Sequence, residues 1–311
     1  MSVLRWSAAK IAGGVFVLWA IATAIFFALR LIPGSPEQAL LGGPGSQASE
    51  EALALVRAEH GLDQPLIAQY LMMLGRLVTG DLGTSYSLKS SVVSLIAEQF
   101  WGTLLLTVLS LVAAWIIALG LALWSTRGGR IARGIASGLE IAASAVPHFW
   151  LASLFILVFS NALGWLPPVS VPGPLGLVLP VLTLGIPLAG FLGQVMRESM
   201  LDALESPFVL SARARGEGET GIRLRHAIRH AALPAISLSG WAFGSLLSGA
   251  VVVETVFARP GLGRSLMSAV TARDIPMVTG IALVSALAFV LVTIATDALD
   301  RVADPRLRAR K

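Results

Sequence analysis

Six apolar runs, at about residues 11–32, 101–125, 139–161, 178–196, 233–253 and 277–298, are each long enough to cross a bilayer, which takes roughly 20 residues of helix. In lipid every backbone N–H and C=O must be satisfied internally, so runs of this length are read as helices. The expected fold is an all-α membrane protein with about six transmembrane helices. Composition agrees: 55% of the 311 residues are hydrophobic and 13% are charged. That is about half the charge of a soluble domain and too little to cover a water-facing surface. Arg5 and Lys10 precede the first run. The run exceeds the roughly 7–15-residue core of a secretory signal. It is read as a retained span that ends at Pro33-Gly34-Ser35-Pro36.

The net charge is +5. The basic residues fall mostly in short loops between apolar runs, and such residues stay on the cytoplasmic side. Sixteen of the 23 Lys and Arg lie in the N-terminus, the 126–134 loop, the 197–230 loop and the tail from Arg301. The other seven are Arg30, Arg57, Arg76, Lys89, Arg259, Arg264 and Arg273. This asymmetry predicts a multi-pass protein of the cytoplasmic membrane, with both termini cytoplasmic and the 33–100 insert external. No nucleic-acid partner is expected, because no aromatic-plus-basic surface is left to hold one.

Within the insert, 49–60 and 64–78 read as short amphipathic helices separated by Gly61 and Pro65, with Asp63 a candidate cap. Pro147 falls inside the third run, and Pro180, Gly185 and Pro187 interrupt the fourth. A proline removes a backbone hydrogen bond, and in lipid such breaks persist where protein or a water-filled cavity resatisfies the backbone. These helices are read as lining a path, with packing on small residues as the alternative. The candidate path residues are Pro147, His148, Trp150, Gln194 and Glu254.

Missing motifs narrow the function. The chain has no phosphate-binding G-x-x-x-x-G-K-[ST] loop, so no ATP hydrolysis is expected from it alone. The acids nearest the spans, Glu140, Glu198, Glu254, Asp297 and Asp300, fall at span ends. A proton- or sodium-coupled carrier would place carboxylates near the midplane. No H-E-x-x-H or G-x-S-x-G motif supports an enzyme. Cysteine is absent, which removes disulfides and thiolate chemistry. His226 and His230 are four apart, but Arg223, Arg225 and Arg229 surround them and oppose a cation; no metal site is assigned. His148, beside Pro147, Phe149 and Trp150, is a functional candidate because it is ionisable within a span. A neutral histidine bonded to a neighbouring helix is the alternative.

The stretch 205–234 reads ESPFVLSARARGEGETGIRLRHAIRHAALP. Ser206 followed by Pro207 is a helix start, Phe208 to Arg215 makes about two turns, and Gly216 suits a left-handed stop. A second helix is expected from near Thr220 to Ala232, before Pro234 opens the fifth span. Ala212, Ala214 and Gly216 would let another surface approach closely, while Arg213 and Arg215 pair with acids on it. A basic loop serving topology alone would explain the arginines but not the small residues.

The Ala212-Arg213-Ala214-Arg215-Gly216 run, with Pro234 eighteen residues beyond the glycine, resembles the EAA coupling loop of ABC-importer permeases, in the spacing of their dipeptide/oligopeptide/nickel branch. The Glu of the general pattern falls on Leu210 and the next Ala on Ser211. Other segments are similar to the same branch in order and spacing: Gly61-Leu62-Asp63-Gln64-Pro65, Gln69-Tyr70, Gly80-Asp81-Leu82-Gly83-Thr84-Ser85, Pro147-His148-Phe149-Trp150, Gly164-Trp165-Leu166-Pro167, the run from Glu254 to Gly263, and Asp304-Pro305-Arg306.

This resemblance implies a type-I ABC importer permease fold with a cytoplasmic coupling helix. It implies three parts: 1–97, a first span plus external insert; 98–301, the permease domain with its coupling loop at 205–234; and 302–311, a basic tail. The implied coupling residues are Ser211, Ala212, Arg213, Ala214, Arg215, Gly216 and Glu217. The implied partners are a homologous second permease subunit, two ATP-binding subunits that carry the ATP and magnesium, an extracytoplasmic solute-binding protein and the lipid bilayer. The chain itself would hold no cofactor. Di- or oligopeptide is the implied cargo, with nickel or a metal chelate as the alternative on the same scaffold. A channel or membrane scaffold without ATP coupling is the alternative from another class.

Overall fold

The computed structural model describes residues 3–31, 37, 41, 48–59 and 61–303. Pro33-Gly34-Ser35-Pro36, His60, Asp304-Pro305-Arg306 and most of the expected 302–311 tail lie outside the described residues. The regular elements are helices, with one isolated β-bridge between Thr84 and Ser91. In chain order they are α1 (Val3–Leu31), α2 (Glu50–Glu59), α3 (Leu66–Val78), α4 (Val92–Arg127), α5 (Arg130–Ala145), α6 (His148–Ala162), α7 (Leu175–Leu204), α8 (Pro207–Ala214), α9 (Glu219–Val256), α10 (Leu262–Thr271) and α11 (Ile275–Ala303). Among the described residues, α1, α4, α7, α9 and α11 are long and apolar enough to cross a membrane, and the bent pair α5–α6 is a sixth candidate.

Two compact units are present. The first comprises the described residues up to Thr103 with Pro260–Val290. Its core gathers Val92, Ile96, Leu262, Ala269, Met277, Val278 and Ile281. The 254–274 stretch, outside the apolar runs, folds partly into α10. Its first N–H, on Leu262, donates to the Thr103 hydroxyl at 2.8 Å, which satisfies one of the donors a helix start leaves orphaned. In the insert, the Ser49 hydroxyl accepts the Ala52 N–H at 3.3 Å and so caps α2. Asp63 caps nothing: the residue at the start of α3 is Pro65, with no side-chain capping bond.

The second unit runs from Leu104 to Arg259 and resumes at Leu291. Its centre is α7, which packs against α5, α6 and α9. The buried Leu184, Leu188, Leu192, Met196 and Met200 descend α7 into a core shared with small residues of α4 and α9. Helices in lipid gain little from apolar burial alone and associate through close backbone approach. A Cβ at Gly190 would lie 2.5 Å from the Glu140 carbonyl oxygen and 2.7 Å from the Ser144 nitrogen. That glycine fixes the approach of α7 to α5. Trp115 of α4 donates to the Ser239 hydroxyl of α9 at 3.0 Å.

The two proline regions behave oppositely. The expected interruption of the fourth run does not occur: α7 passes through Pro180 and Pro187 without a break. Pro180 leaves the Gly176 carbonyl without its helical donor, and the Ser170 hydroxyl supplies one at 3.1 Å. The third run is sharply broken into two helices. α5 and α6 meet at 103° across Val146 and Pro147. A residue before proline is pushed out of the helical region, and Val146 is extended at φ −79°, ψ 125°.

Candidate functional site

The loop from Glu205 to Gly218 folds as the sequence suggests at its two ends. Ser206 is the extended N-cap residue and Pro207 opens α8. The Ser206 hydroxyl does not cap the helix; it donates back to the Ala203 carbonyl. At the other end Gly216 has φ +82°. The Gly216 N–H donates to Arg213 O at 2.9 Å and the Glu217 N–H to Ala212 O at 3.1 Å. This pair of bonds closes a helix in the left-handed turn that glycine adopts without strain.

Eight residues give α8 two faces. Val209 and Ala212 are buried and form a small cluster with Ile222 of α9. Pro207, Phe208, Leu210, Ser211, Arg213, Ala214, Arg215 and Gly216 are exposed. Ala212 is therefore corrected from a residue that presents a small side chain outward to one that seats α8 on α9. Ala214 and Gly216 remain on the outer side. Leu210, 61% exposed, is an outward apolar residue that the sequence marked only as a departure from an acidic position. Phe208 stacks on His230, centroids 4.9 Å apart.

Polar contacts lock the loop to α9. Arg213 Nε donates to Glu219 Oε1 at 2.7 Å, and Arg223 pairs with Glu219 at 3.2 Å. Arg223 also donates to the Thr126 carbonyl at the end of α4, 3.1 Å away. Glu217 is half-buried and turns inward, with an oxygen 2.8 Å from His226 Nε2 and another 3.8 Å from Arg225. The expected separate helix from Thr220 does not exist as such. Glu219 begins α9, which contains a widened π-helical turn over Ile222–Ala227 and carries Pro234 in its interior. α8 is thus joined to α7 through Glu205–Ser206 and to α9 through Ile222 and Glu219, and α9 reaches the end of α4 through Arg223.

The candidate path residues lie on three helices. Pro147 precedes α6, and His148 is its first residue. A Cβ on the buried Gly249 of α9 would lie 2.7 Å from Leu184 Cδ2 and 3.4 Å from His148 Nε2, so that glycine leaves room for Leu184 of α7 beside the imidazole. Phe149 and Trp150 are exposed and, with Ala145, Val146 and Pro147, line a shallow hollow of about 310 Å³. Gln194 on α7 is half-buried and donates to the Ser144 hydroxyl of α5 at 3.4 Å and to the Gly190 carbonyl at 3.3 Å. Glu254 sits in the last turn of α9 and is fully buried. Its carbonyl accepts the Arg259 N–H at 2.8 Å. It is therefore corrected from a residue facing an open path to one enclosed by its own chain. Pro147 and Trp150 share the shallow hollow with His148 adjacent in the chain, whereas Gln194 contacts α5 and Glu254 is buried at the end of α9.

Sequence reasoning missed an ion pair. Glu140, placed at a span end from the sequence, lies inside α5 and is fully buried, 2.9 Å from Arg197 of α7. Opposite charges 57 positions apart gave no local signal.

Sequence relatives span nearly the whole chain. The family described as "Binding-protein-dependent transport system inner membrane component" matches residues 110–309, and its N-terminal companion matches residues 3–107. The "Glutathione transport system permease protein GsiC" of Escherichia coli (strain K12) is 35% identical over 312 residues, covering 98% of this chain and 99% of that protein. The protein of the same name from Salmonella typhimurium (strain LT2) is 34% identical over 315 residues, with the same coverage. Among solved structures, an inward-facing form of the MetNI methionine ABC transporter superposes with a TM-score of 0.56 at 17% identity. It covers 68% of this chain and 97% of that one. An amino acid ABC transporter with histidines gives 0.53 at 19% identity, covering 67% and 94%. These two likenesses show the fold.

Proposed function

This chain belongs to the binding-protein-dependent transport system inner membrane component family, and we propose that it is the permease subunit of an ATP-driven importer of short peptides. ATP and magnesium are held by two separate ATP-binding subunits. A second, homologous permease completes the path, and an extracytoplasmic solute-binding protein delivers the cargo. Both termini and α8 face the cytoplasm, as the arginine distribution favours.

The observation that carries this reading is α8. It is a short helix held at both ends, seated on α9 by Val209 and Ala212, with an outer face of Phe208, Leu210, Ser211 and Ala214 left exposed. Such a face suits the groove of an ATP-binding subunit, flanked by Arg215 for its acids, while Arg213 is engaged by Glu219 of its own chain. Closure of the ATP-binding subunits would push α8, and its links to α4, α7 and α9 would tilt those helices together.

Peptide cargo is supported by full-length similarity to glutathione permeases, since glutathione is itself a tripeptide. The chain has no cysteine, so a single Ser211→Cys variant gives an unambiguous cross-link. In membranes containing all four kinds of subunit, that cysteine should join to the ATP-binding subunit, and the yield should change on adding ATP. Cross-linking to the second permease instead, with no ATP dependence, would contradict the assignment.

A further inference from the structure

The first compact unit carries two adjoining hollows that the transport reading does not use. One is a mostly apolar cavity of about 420 Å³ whose polar lining includes Arg30, Arg76, Tyr86 and Thr279. The other is an apolar groove of about 590 Å³, lined on α1 by Val15, Trp19 and Ala22 and on α11 by Leu283, Val284 and Leu287. Leu77 and Leu82 line both, so the hollows share a wall.

Their position relative to the bilayer follows from the helices. Arg30 lies just beyond the apolar segment Ala8–Ala28 of α1, and Thr279 lies in the first turns of α11. The cavity that holds them is therefore at the membrane boundary. From Ala22 to Val15 the groove runs about 10 Å along α1, from the Arg30 side to just past the midpoint of the Ala8–Ala28 segment. Its Val15, Trp19 and Leu287 are exposed.

Two guanidiniums line the cavity. The Arg30 guanidinium lies 3.5 Å over the Phe26 ring and donates to the Phe26 carbonyl at 3.2 Å and to Gln69 Oε1. These contacts fix its orientation and leave further N–H donors. Arg76 is the second guanidinium, and both act electrostatically on the Tyr86 hydroxyl. One acid also lines the cavity, Asp81, whose Oδ1 accepts the Gly83 N–H at 2.8 Å. Thr279 is only 5% exposed, and among the described residues its hydroxyl has no hydrogen-bond partner. A buried hydroxyl without a partner loses the bonds it made to water; a phosphate oxygen in this cavity would supply one.

We propose that these hollows together bind one anionic phospholipid, its phosphate between Arg30 and Arg76 and an acyl chain in the groove. Arginine forks match phosphate oxygens in pairs. Basic pockets between transmembrane helices hold anionic headgroups by the same chemistry. Two guanidiniums against one carboxylate favour a headgroup with net negative charge over a zwitterionic one. The external insert would then be anchored by lipid to the mouths of α1 and α11.

The test is native mass spectrometry of the full chain, purified in detergent, stripped of lipid and titrated with phosphatidylglycerol or phosphatidylcholine. One phosphatidylglycerol should bind per chain, at least tenfold more tightly than phosphatidylcholine. Arg76→Gln, at an exposed position, should weaken it about tenfold without lowering the melting temperature, and Val15→Trp, also exposed, should weaken it by filling the groove. Equal binding of the two lipids, or full retention in both variants, would overturn the proposal. A photoreactive phenylalanine at Trp19, activated in native membranes, should label lipid. Attachment to another polypeptide would overturn it in favour of a protein contact.

Discussion

Arg197 Nε of α7 donates to Glu140 Oε2 of α5 at 2.9 Å, and the Glu140 side chain is entirely buried. Its other oxygen, Oε1, has no hydrogen-bond partner among the described residues. Removing one member of a buried pair strands the other, at a cost of about 3–5 kcal/mol, whereas an apolar pair of similar volume is often neutral. Arg197→Ala should lower the melting temperature of the detergent-solubilised protein markedly. The double replacement Glu140→Leu with Arg197→Met should recover most of the loss. A double variant as unstable as the single one would show that α5 and α7 depend on the charges themselves.

Asp274 ties the start of α11 to the insert. Its carboxylate accepts from the Ser87 hydroxyl at 2.8 Å and backbone N–H at 3.1 Å, from the Ser85 hydroxyl, and from the Met277 N–H at 3.2 Å. Burial alone would raise its pKa, but the hydrogen bonds from Ser85, Ser87 and the Tyr86 backbone outweigh burial and hold it below the ordinary carboxylate value. A depressed pKa means the unfolded state takes up the proton first. Its contribution is therefore present above the unfolded value of about 4 and lost as pH falls through the lower folded value. Thermal unfolding followed from pH 7 to pH 3 should show wild type losing stability faster than Asp274→Asn over the acid end. Parallel curves would contradict the role given to this carboxylate.

Gly216 is needed for its backbone rather than for space. Its φ is +82°, and an added Cβ would meet nothing within 4 Å in this chain. A branched residue there should cost about 1–2 kcal/mol locally, while asparagine, which tolerates that region, should cost less. Gly216→Val is expected to reach the membrane normally yet lose most transport, with Gly216→Asn in between. Equal activity in both, measured as ATP-driven uptake, would separate the turn from coupling.

The outer face of α8 makes a sharper prediction. Leu210 is exposed, whereas Val209 beside it is buried. Leu210→Asp should leave the melting temperature nearly unchanged and reduce co-purification of the ATP-binding subunits at least tenfold. Val209→Asp should instead unseat α8 and destabilise the protein. Undiminished co-purification with Leu210→Asp would move the docking surface elsewhere.

Each span was legible from its apolar run because lipid demands about 20 such residues. The span ends were not. α4 begins at Val92, ahead of its apolar run, because Glu98 and Gln99 lower local hydropathy without breaking the helix. α9 likewise starts at Glu219 through basic turns that hydropathy reads as loop. Pro147 announced a break, but the size of the turn, 103°, has no signal in the local sequence. In the α7–α9 loop, Ser206-Pro207 and Gly216 marked both ends of α8 correctly. Which face of α8 points inward depends on Ile222, so Ala212 could not be placed from local pattern. The Glu140–Arg197 pair is a tertiary contact with no periodicity to reveal it.

The most direct test of the importer reading is uptake of labelled glutathione and a labelled dipeptide into proteoliposomes holding this chain with its partner permease, ATP-binding subunits and solute-binding protein. The account predicts uptake of at least one of them that requires ATP and the binding protein and is lost with Leu210→Asp. Uptake at the same rate without ATP would contradict it. Failure of both peptides alongside ATP-driven uptake of a nickel chelate would keep the importer and overturn the peptide assignment.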